Sequence, residues 1–156
     1  MGRVDDKVAI ISGGARGMGA ADARMLVAEG AKVVIGDILD EEGKTLAYEL
    51  GDAARYVHLD VSDYDQWQAA VDTAVQTFGR LNVLVNNAGY GSYGAIEDVP
   101  LAEARRQFEV NVFGLARLAQ LVAPHMRARG SGRIVNVSSM GGRFAMAFGG
   151  WYHATK

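Results

Sequence analysis

The chain has 156 residues, of which 49% are hydrophobic and 22% charged, with no cysteine and a formal net charge of −2. That length suffices to bury one sizeable core. The slightly acidic balance gives no basic field for nucleic acid or an anionic membrane, and the missing thiols exclude disulfides and thiolate metal sites.

The first residues, MGRVDDKVAIIS, enter a strand-like run without the apolar block of a secretory signal. Gly2 is not part of a myristoylation motif, because Asp6 stands where that motif wants Ser or Thr. No apolar run approaches membrane-spanning length. These features predict a cytoplasmic protein with neither membrane nor nucleic-acid partners.

Lys7–Ser12 (KVAIIS) reads as a buried strand, short, apolar and followed by glycines. Gly17–Glu29 reads as a helix, favoured by Ala20, Ala21, Ala23, Met25, Leu26 and Ala28 and stopped by Gly30. Ala31–Gly36 is a second strand, and Glu41–Leu50 a second helix capped by Asp40. Arg55–Leu59 is a third strand. The next helix carries a capping box of Ser62 and Asp65, with Trp67, Ala70, Val71, Ala74, Val75 and Phe78 on one face. A fourth strand covers Asn82–Val85 and runs into a loop, NNAGYGSYG. Pro100 opens a long helix to about Arg129, bent at Pro124. Arg133–Val137 is a fifth strand, followed by a Gly- and Met-rich loop and a helix start at Trp151. Strands alternating with helices predict an α/β fold, a doubly wound parallel sheet of Rossmann type with helices on both faces, in one dinucleotide-binding domain over 1–156.

SGGARGMG (Ser12–Gly19) joins the first strand to the first helix. Glycine lets backbone approach a phosphate, and a helix start offers free N–H groups and partial positive charge. Such turns also carry glycine for steric reasons alone, and the spacing Gly13-x-x-x-Gly17-x-Gly19 departs from G-x-G-x-x-G. Asp37, at the end of the second strand, stands where a carboxylate accepts the adenosine ribose hydroxyls of NAD and repels the extra phosphate of NADP. It also reads as a helix-start acid beside Asp40, Glu41 and Glu42. Arg16 in the loop pulls the other way, since a guanidinium welcomes phosphate. NAD is the expected cofactor.

Tyr152 and Lys156 are four residues apart at a helix start, so their β-carbons lie roughly 5–6 Å apart on one face. A free tyrosine titrates near ~10 and is a poor base at neutral pH, whereas a neighbouring ammonium favours the phenolate. Ser139, at the end of the fifth strand, is placed to hydrogen-bond a substrate oxygen at the edge where open parallel sheets bind ligands. Taken alone, Y-x-x-x-K is common and usually a solvated helix face.

Taken together, Ser12–Gly19, Asp60-Val61, Asn86-Asn87-Ala88-Gly89, Asn111, Ser138-Ser139 and Tyr152-x-x-x-Lys156 resemble, in order and spacing, the short-chain dehydrogenase/reductase family, compact single-domain branch. GGARGMGA, GDILDEEGK and LGDAARYVHLDV are similar to its bacterial NAD-dependent hydroxysteroid dehydrogenases of the 3α,20β type. The resemblance implies an oxidoreductase moving a hydride between NAD(H) and a secondary alcohol or ketone and, for a full-length chain, a homo-oligomer, either dimer or tetramer. It implies that Tyr152 is the acid/base, that Lys156 lowers its pKa and holds the nicotinamide ribose, and that Ser139 orients the substrate oxygen. Asn111 would hold a water that relays protons to Lys156. Gly13, Arg16, Gly17, Met18 and Gly19 would meet the pyrophosphate region, Asp60 and Val61 the adenine, and Asn87, Ala88 and Gly89 would line the cleft.

Members of that family are normally longer, adding strands, helices and a lid over the substrate. The expectation is therefore the N-terminal portion of a longer dehydrogenase, with weak or no turnover alone and the fifth strand left as a sheet edge. The alternatives are an inactive NAD-binding fragment or sensor, and a structural subunit completed by a partner. His58, His125 and His153 lack metal-ligand spacing, and no metal site is expected. His58 reads as packed or hydrogen-bonded, and His153 as filler within Y-x-x-x-K. Phe144, Met146, Phe148 and Trp151, with Tyr90 and Tyr93, read equally as a substrate pocket or as packing surface. Arg105, Arg106 and Glu109 read as a solvated helix face.

Overall fold

The computed structural model describes residues 2–156. Five strands, β1 (Val8–Ser12), β2 (Lys32–Asp37), β3 (Ala54–His58), β4 (Val83–Asn86) and β5 (Arg133–Asn136), form one sheet in the order β3-β2-β1-β4-β5. Every neighbouring pair is parallel. The helices are α1 (Gly17–Ala28), α2 (Asp40–Leu50), α3 (Tyr64–Phe78), α4 (Leu101–Phe108), α5 (Leu115–Ala128) and α6 (Gly150–Ala154). This is the doubly wound α/β architecture that the alternation predicts.

Successive side chains of a strand point to opposite faces, and here both faces are covered. Val8 and Ile10 pack with Val34, Leu59 and Leu84 against Trp67, Ala70, Val71 and Ala74 of α3 and Leu118, Val122 and Met126 of α5. Ala9 and Ile11 pack with Val33, Ile35 and Val85 against Ala20 and Ala23 of α1 and Leu46 of α2. That two-sided burial is why the central strands read as unbroken apolar runs rather than alternating ones. The fifth strand is an edge, as expected, and all four of its residues are exposed.

Several local readings need correction. Helix α3 is capped by Asp63, whose carboxylate accepts from the Asp65 backbone N–H at 3.0 Å; the Ser62 hydroxyl instead donates to Asp60 Oδ1 at 2.6 Å. Val75 is 47% exposed, so the apolar face of α3 excludes it. Asp40 is the first helical residue of α2 rather than its cap, because the Tyr56 hydroxyl (2.6 Å) and His58 Nδ1 (2.7 Å) from β3 engage its carboxylate. Those bonds hold Asp40 below the usual carboxylate range, and burial followed by Asp40 pushes the Tyr56 hydroxyl far up. His58 is thus hydrogen-bonded, as read from the sequence.

The helix from Pro100 is disrupted at Glu109–Gly114, which is π-helical, while α5 runs through Pro124 as an α-helix. Gly114 approaches the loop after β3 so closely that a Cβ there would lie 2.6 Å from the Val61 carbonyl oxygen. A one-turn π widening of this kind is frequent at functional sites.

Trp67 is 1% exposed and donates its indole N–H to the Val61 carbonyl at 3.0 Å. Trp67→Ala is expected to lower unfolding free energy by about 3–5 kcal/mol in urea titration, while Val75→Ala should stay within about 0.5 kcal/mol.

Candidate active site

The C-terminal ends of β1, β2 and β4 open into a cleft of about 420 Å³. Its floor is tied at the end of β1. The Ser12 hydroxyl accepts the backbone N–H groups of Asn87 and Ala88, both at 3.1 Å, and the Asn87 side chain returns to the Ser12 and Gly13 carbonyls at 3.1 and 2.8 Å. Gly13 has φ +64°, and a Cβ there would lie 2.8 Å from Ala88 Cα. A side chain at Gly19 would run into the Gly13 carbonyl. Gly17, with φ +57°, has nothing within 4 Å of where its Cβ would be. Helix α1 begins there with no side-chain cap and no acid in its first turn, so its first N–H groups face the cleft unclaimed by side chains.

Gly13, Arg16, Gly17, Met18, Asp37, Asp60, Val61, Asn87, Ala88 and Gly89 all line this cleft. Gly19 lies just behind it, supporting the loop. Asp37 is buried, and its two carboxylate oxygens accept the Ala15 and Leu39 N–H groups at 2.9 and 3.1 Å. The loop and the carboxylate are therefore locked to each other. Asp60 accepts from the Ser62 hydroxyl and N–H and sits 3.7 Å from the Arg106 guanidinium. Burial works to raise its pKa, but the Ser62 bonds and Arg106 outweigh it and hold the carboxyl below its ordinary value.

Ser139, Asn111, Tyr152 and Lys156 come together beside the cleft, around Gly89 and Gly141. A Cβ built on Gly141 would lie 3.0 Å from Tyr152 Cε1 and 3.3 Å from Ser139 Oγ, so both flank one point. A Cβ on Gly89 would lie 2.9 Å from Lys156 Nζ and 3.1 Å from Asn111 Oδ1. Lys156 Nζ is 6.0 Å from the Tyr152 ring centroid. Helix α6 ends at Ala154, so Lys156 lies just past the helix rather than on it.

Asn111 is buried within the π segment, and both N–H donors of its amide are committed. It accepts the Tyr90 N–H at 3.0 Å and donates to the Tyr90 carbonyl (2.8 Å) and Thr155 Oγ1 (2.9 Å). Thr155 passes the connection to the Tyr152 carbonyl at 2.8 Å. Tyr90 itself is a poor acid–base candidate, because burial and then the Glu103 carboxylate push its hydroxyl up.

The sequence model of the short chain dehydrogenase family matches residues 7–156. The chain belongs to the short chain dehydrogenase family. It is 56% identical over 155 residues to a 3-alpha-(or 20-beta)-hydroxysteroid dehydrogenase of Mycobacterium tuberculosis, covering 99% of this chain and 60% of that protein. It is 48% identical over 149 residues to a trans-4-hydroxycyclohexanecarboxylate dehydrogenase of Sinomonas cyclohexanicum, covering 90% and 57%. A 3-ketoacyl-(acyl-carrier-protein) reductase from Brucella melitensis, solved with NADH, superposes with TM-score 0.92 at 37% identity over 97% of this chain and 65% of that one. The chain thus spans about 60% of the length of the curated relatives it matches.

This family member also brings residues to the cleft that the sequence reading missed: Ile38, Leu39, Leu59, Arg106 and Val110; Tyr90, read from the sequence as either pocket or packing surface, lines it too. Arg106 is corrected from a solvated helix face to a cleft residue paired with Asp60. The apolar pair Ile38-Leu39 between Asp37 and Asp40 was a readable signal. Nothing in the sequence distinguishes Arg106 from its neighbour Arg105.

A carboxyl whose pKa is depressed by folding stabilises the fold fully above its unfolded value and loses that contribution as pH falls. The advantage of the wild-type chain over Asp60→Asn in urea midpoints should therefore be constant from about pH 7 to 5 and shrink below about 4. A difference unchanged down to about pH 3 would contradict the assignment.

Proposed function

We propose that the chain serves an NAD-dependent dehydrogenase acting on an alcohol borne on a carbocycle, or on the matching ketone. The observation that carries this reading is the meeting of Ser139, Tyr152 and Lys156 at the mouth of a cleft whose glycine loop leaves a helix N-terminus free for an anion.

The cleft suits a dinucleotide. The uncapped start of α1, with Gly13, Arg16, Gly17 and Met18, would hold the pyrophosphate through backbone N–H groups. Gly19 lets that turn close. Asp37 would accept the adenosine ribose hydroxyls, and its fixed charge disfavours a phosphate there, which argues for NAD over NADP. Asp60 and Val61 would flank the adenine, while Asn87, Ala88 and Gly89 line the path to Tyr152 and Lys156 at the nicotinamide ribose. NAD, when bound, supplies the hydride acceptor.

The chain's own residues manage position and the proton. The Ser139 hydroxyl hydrogen-bonds the substrate oxygen and holds it toward Tyr152. The Tyr152 oxygen takes the hydroxyl proton in oxidation and returns it in reduction. The Lys156 ammonium steadies the negative charge that grows on that oxygen. Asn111 acts through Tyr90 and Thr155, whose positions it fixes, rather than by presenting a spare donor from its side chain.

The substrate class is supported by two observations. Of the curated relatives described above, one is named for a hydroxysteroid and the other for a hydroxycyclohexanecarboxylate, both substrates built on a carbocycle. The Tyr93 ring sits 5.5 Å from that of Tyr152, in a loop bonded from the Gly94 N–H to the Phe148 carbonyl at 2.8 Å. Phe144, Met146 and Phe148 expose apolar surface nearby.

Tyr152→Phe should keep NADH binding, read by fluorescence, and lower alcohol turnover at least about 100-fold. NADH binding without turnover in either form would favour a nucleotide-holding protein instead. Asp37→Ala should shift preference toward NADP by about tenfold or more; an unchanged preference would overturn the role of Asp37.

A further inference from the structure

We propose that His153 is a positioning residue, its imidazole fastening the loop that carries the Ser139 turn and the apolar rim to the helix that carries Tyr152. The proposal rests on the reading of Ser139 and Tyr152 given above. His153 follows Tyr152 directly in α6 and is half-buried. Its Nδ1 is 2.9 Å from the Gly141 carbonyl oxygen, and its Nε2 accepts the Met146 N–H at 2.9 Å. A carbonyl only accepts and a backbone N–H only donates. Both contacts are therefore satisfied by one form of the ring, neutral with its proton on Nδ1.

These two bonds grip the loop at both ends. Gly141 also donates its N–H to Ser139 Oγ at 3.0 Å, so the residue held by His153 is the one that orients the Ser139 hydroxyl. Met146 lies between Phe144 and Phe148, whose side chains are exposed and give the loop little packing of its own. Phe148 is held at φ +64°, a left-handed conformation that a bulky residue adopts only when its surroundings impose it. Glycine clears space for the ring on two sides. A Cβ at Gly141 would lie 2.9 Å from Nδ1, and one at Gly149 would overlap Nε2. With both nitrogens engaged by backbone, the ring has no lone pair for a metal and no proton to exchange with substrate. Its effect on chemistry runs through Ser139 and the rim.

The test uses the 156-residue chain. Imidazole ¹⁵N NMR should show the Nδ1–H tautomer of His153; an Nε2–H tautomer or an even mixture overturns the clamp. In His153→Leu the Met146 amide should exchange at least about tenfold faster, with partial return in His153→Gln, which can still donate and accept. Ile10 in the sheet should exchange equally in all three, separating loop release from unfolding. Unchanged Met146 exchange in the leucine variant overturns the proposal. With a carbocyclic alcohol, kcat should fall about tenfold in His153→Leu with the KM for NAD unchanged, and His153→Gln should recover part of it; an unaltered kcat overturns the positioning role. Failure of the dehydrogenase reading looks different: the wild-type chain then turns over no alcohol, whether or not it binds NADH, while tautomer and exchange still decide the clamp.

Discussion

The arrangement depends first on the parallel pairing of β1 with β4, which sets Ser12 beside Asn86. At that seam the sheet changes direction: β2 and β3 lie to one side of β1, and β4 and β5 to the other. The connections leaving β1 and β4 therefore diverge, and a crevice must open between them. What keeps it shaped is small. One Ser12 hydroxyl accepts two N–H groups of the β4 connection, and one Asn87 amide returns two bonds to the β1 end. The glycine loop is thereby anchored on one side by Asn87 and on the other by Asp37 through Ala15. Groups lining the cleft are held relative to one another by hydrogen bonds from short polar side chains to backbone, not by packing of long side chains.

The strands and most helices were legible because their cause is local and repeated: apolar runs buried on both faces, glycine stops and amphipathic spacing. The cleft residues were legible as a joint pattern, since Asp37 and the glycine loop gain meaning only together. What escaped reading has nonlocal causes. Ser62, Asp63 and Asp65 are all competent near a helix start, and the choice of Asp63 goes with Ser62 being drawn to Asp60. Asp40 is claimed by Tyr56 and His58 from a neighbouring strand. The π segment answers to Gly114 meeting Val61 across the fold. His153 was least visible of all, because its partners are backbone atoms and leave no pattern in residue type.

The two ends of the site are held by different physics. The glycine loop and Asp37 rest on strands whose residues are almost all buried, where misplacement would mean disrupting the core. Ser139 instead follows β5, whose four residues are exposed in the described structure. Hydrogen bonds tie this end together. Asn111 joins the π segment to the loop after β4 and, through Thr155, to α6. Ser138 donates to the Lys156 carbonyl at 3.1 Å, and His153 ties the loop after β5 to the same helix.

Each such bond contributes only about 0.5–1.5 kcal/mol net, little beside the burial of Trp67 or the central strands. Its leverage is angular. Positioned groups lose effectiveness steeply when displaced by even about 1 Å, so a single lost bond at this end misaims Ser139 or Tyr152 without threatening the fold. Core and site are therefore separable. Substitutions in the sheet act on stability, those in the polar network act on geometry, and the widened turn at Asn111 is where the two meet: a helix segment buried at Asn111 and Gly114, in which one amide holds the loop after β4 and Thr155 to the π turn.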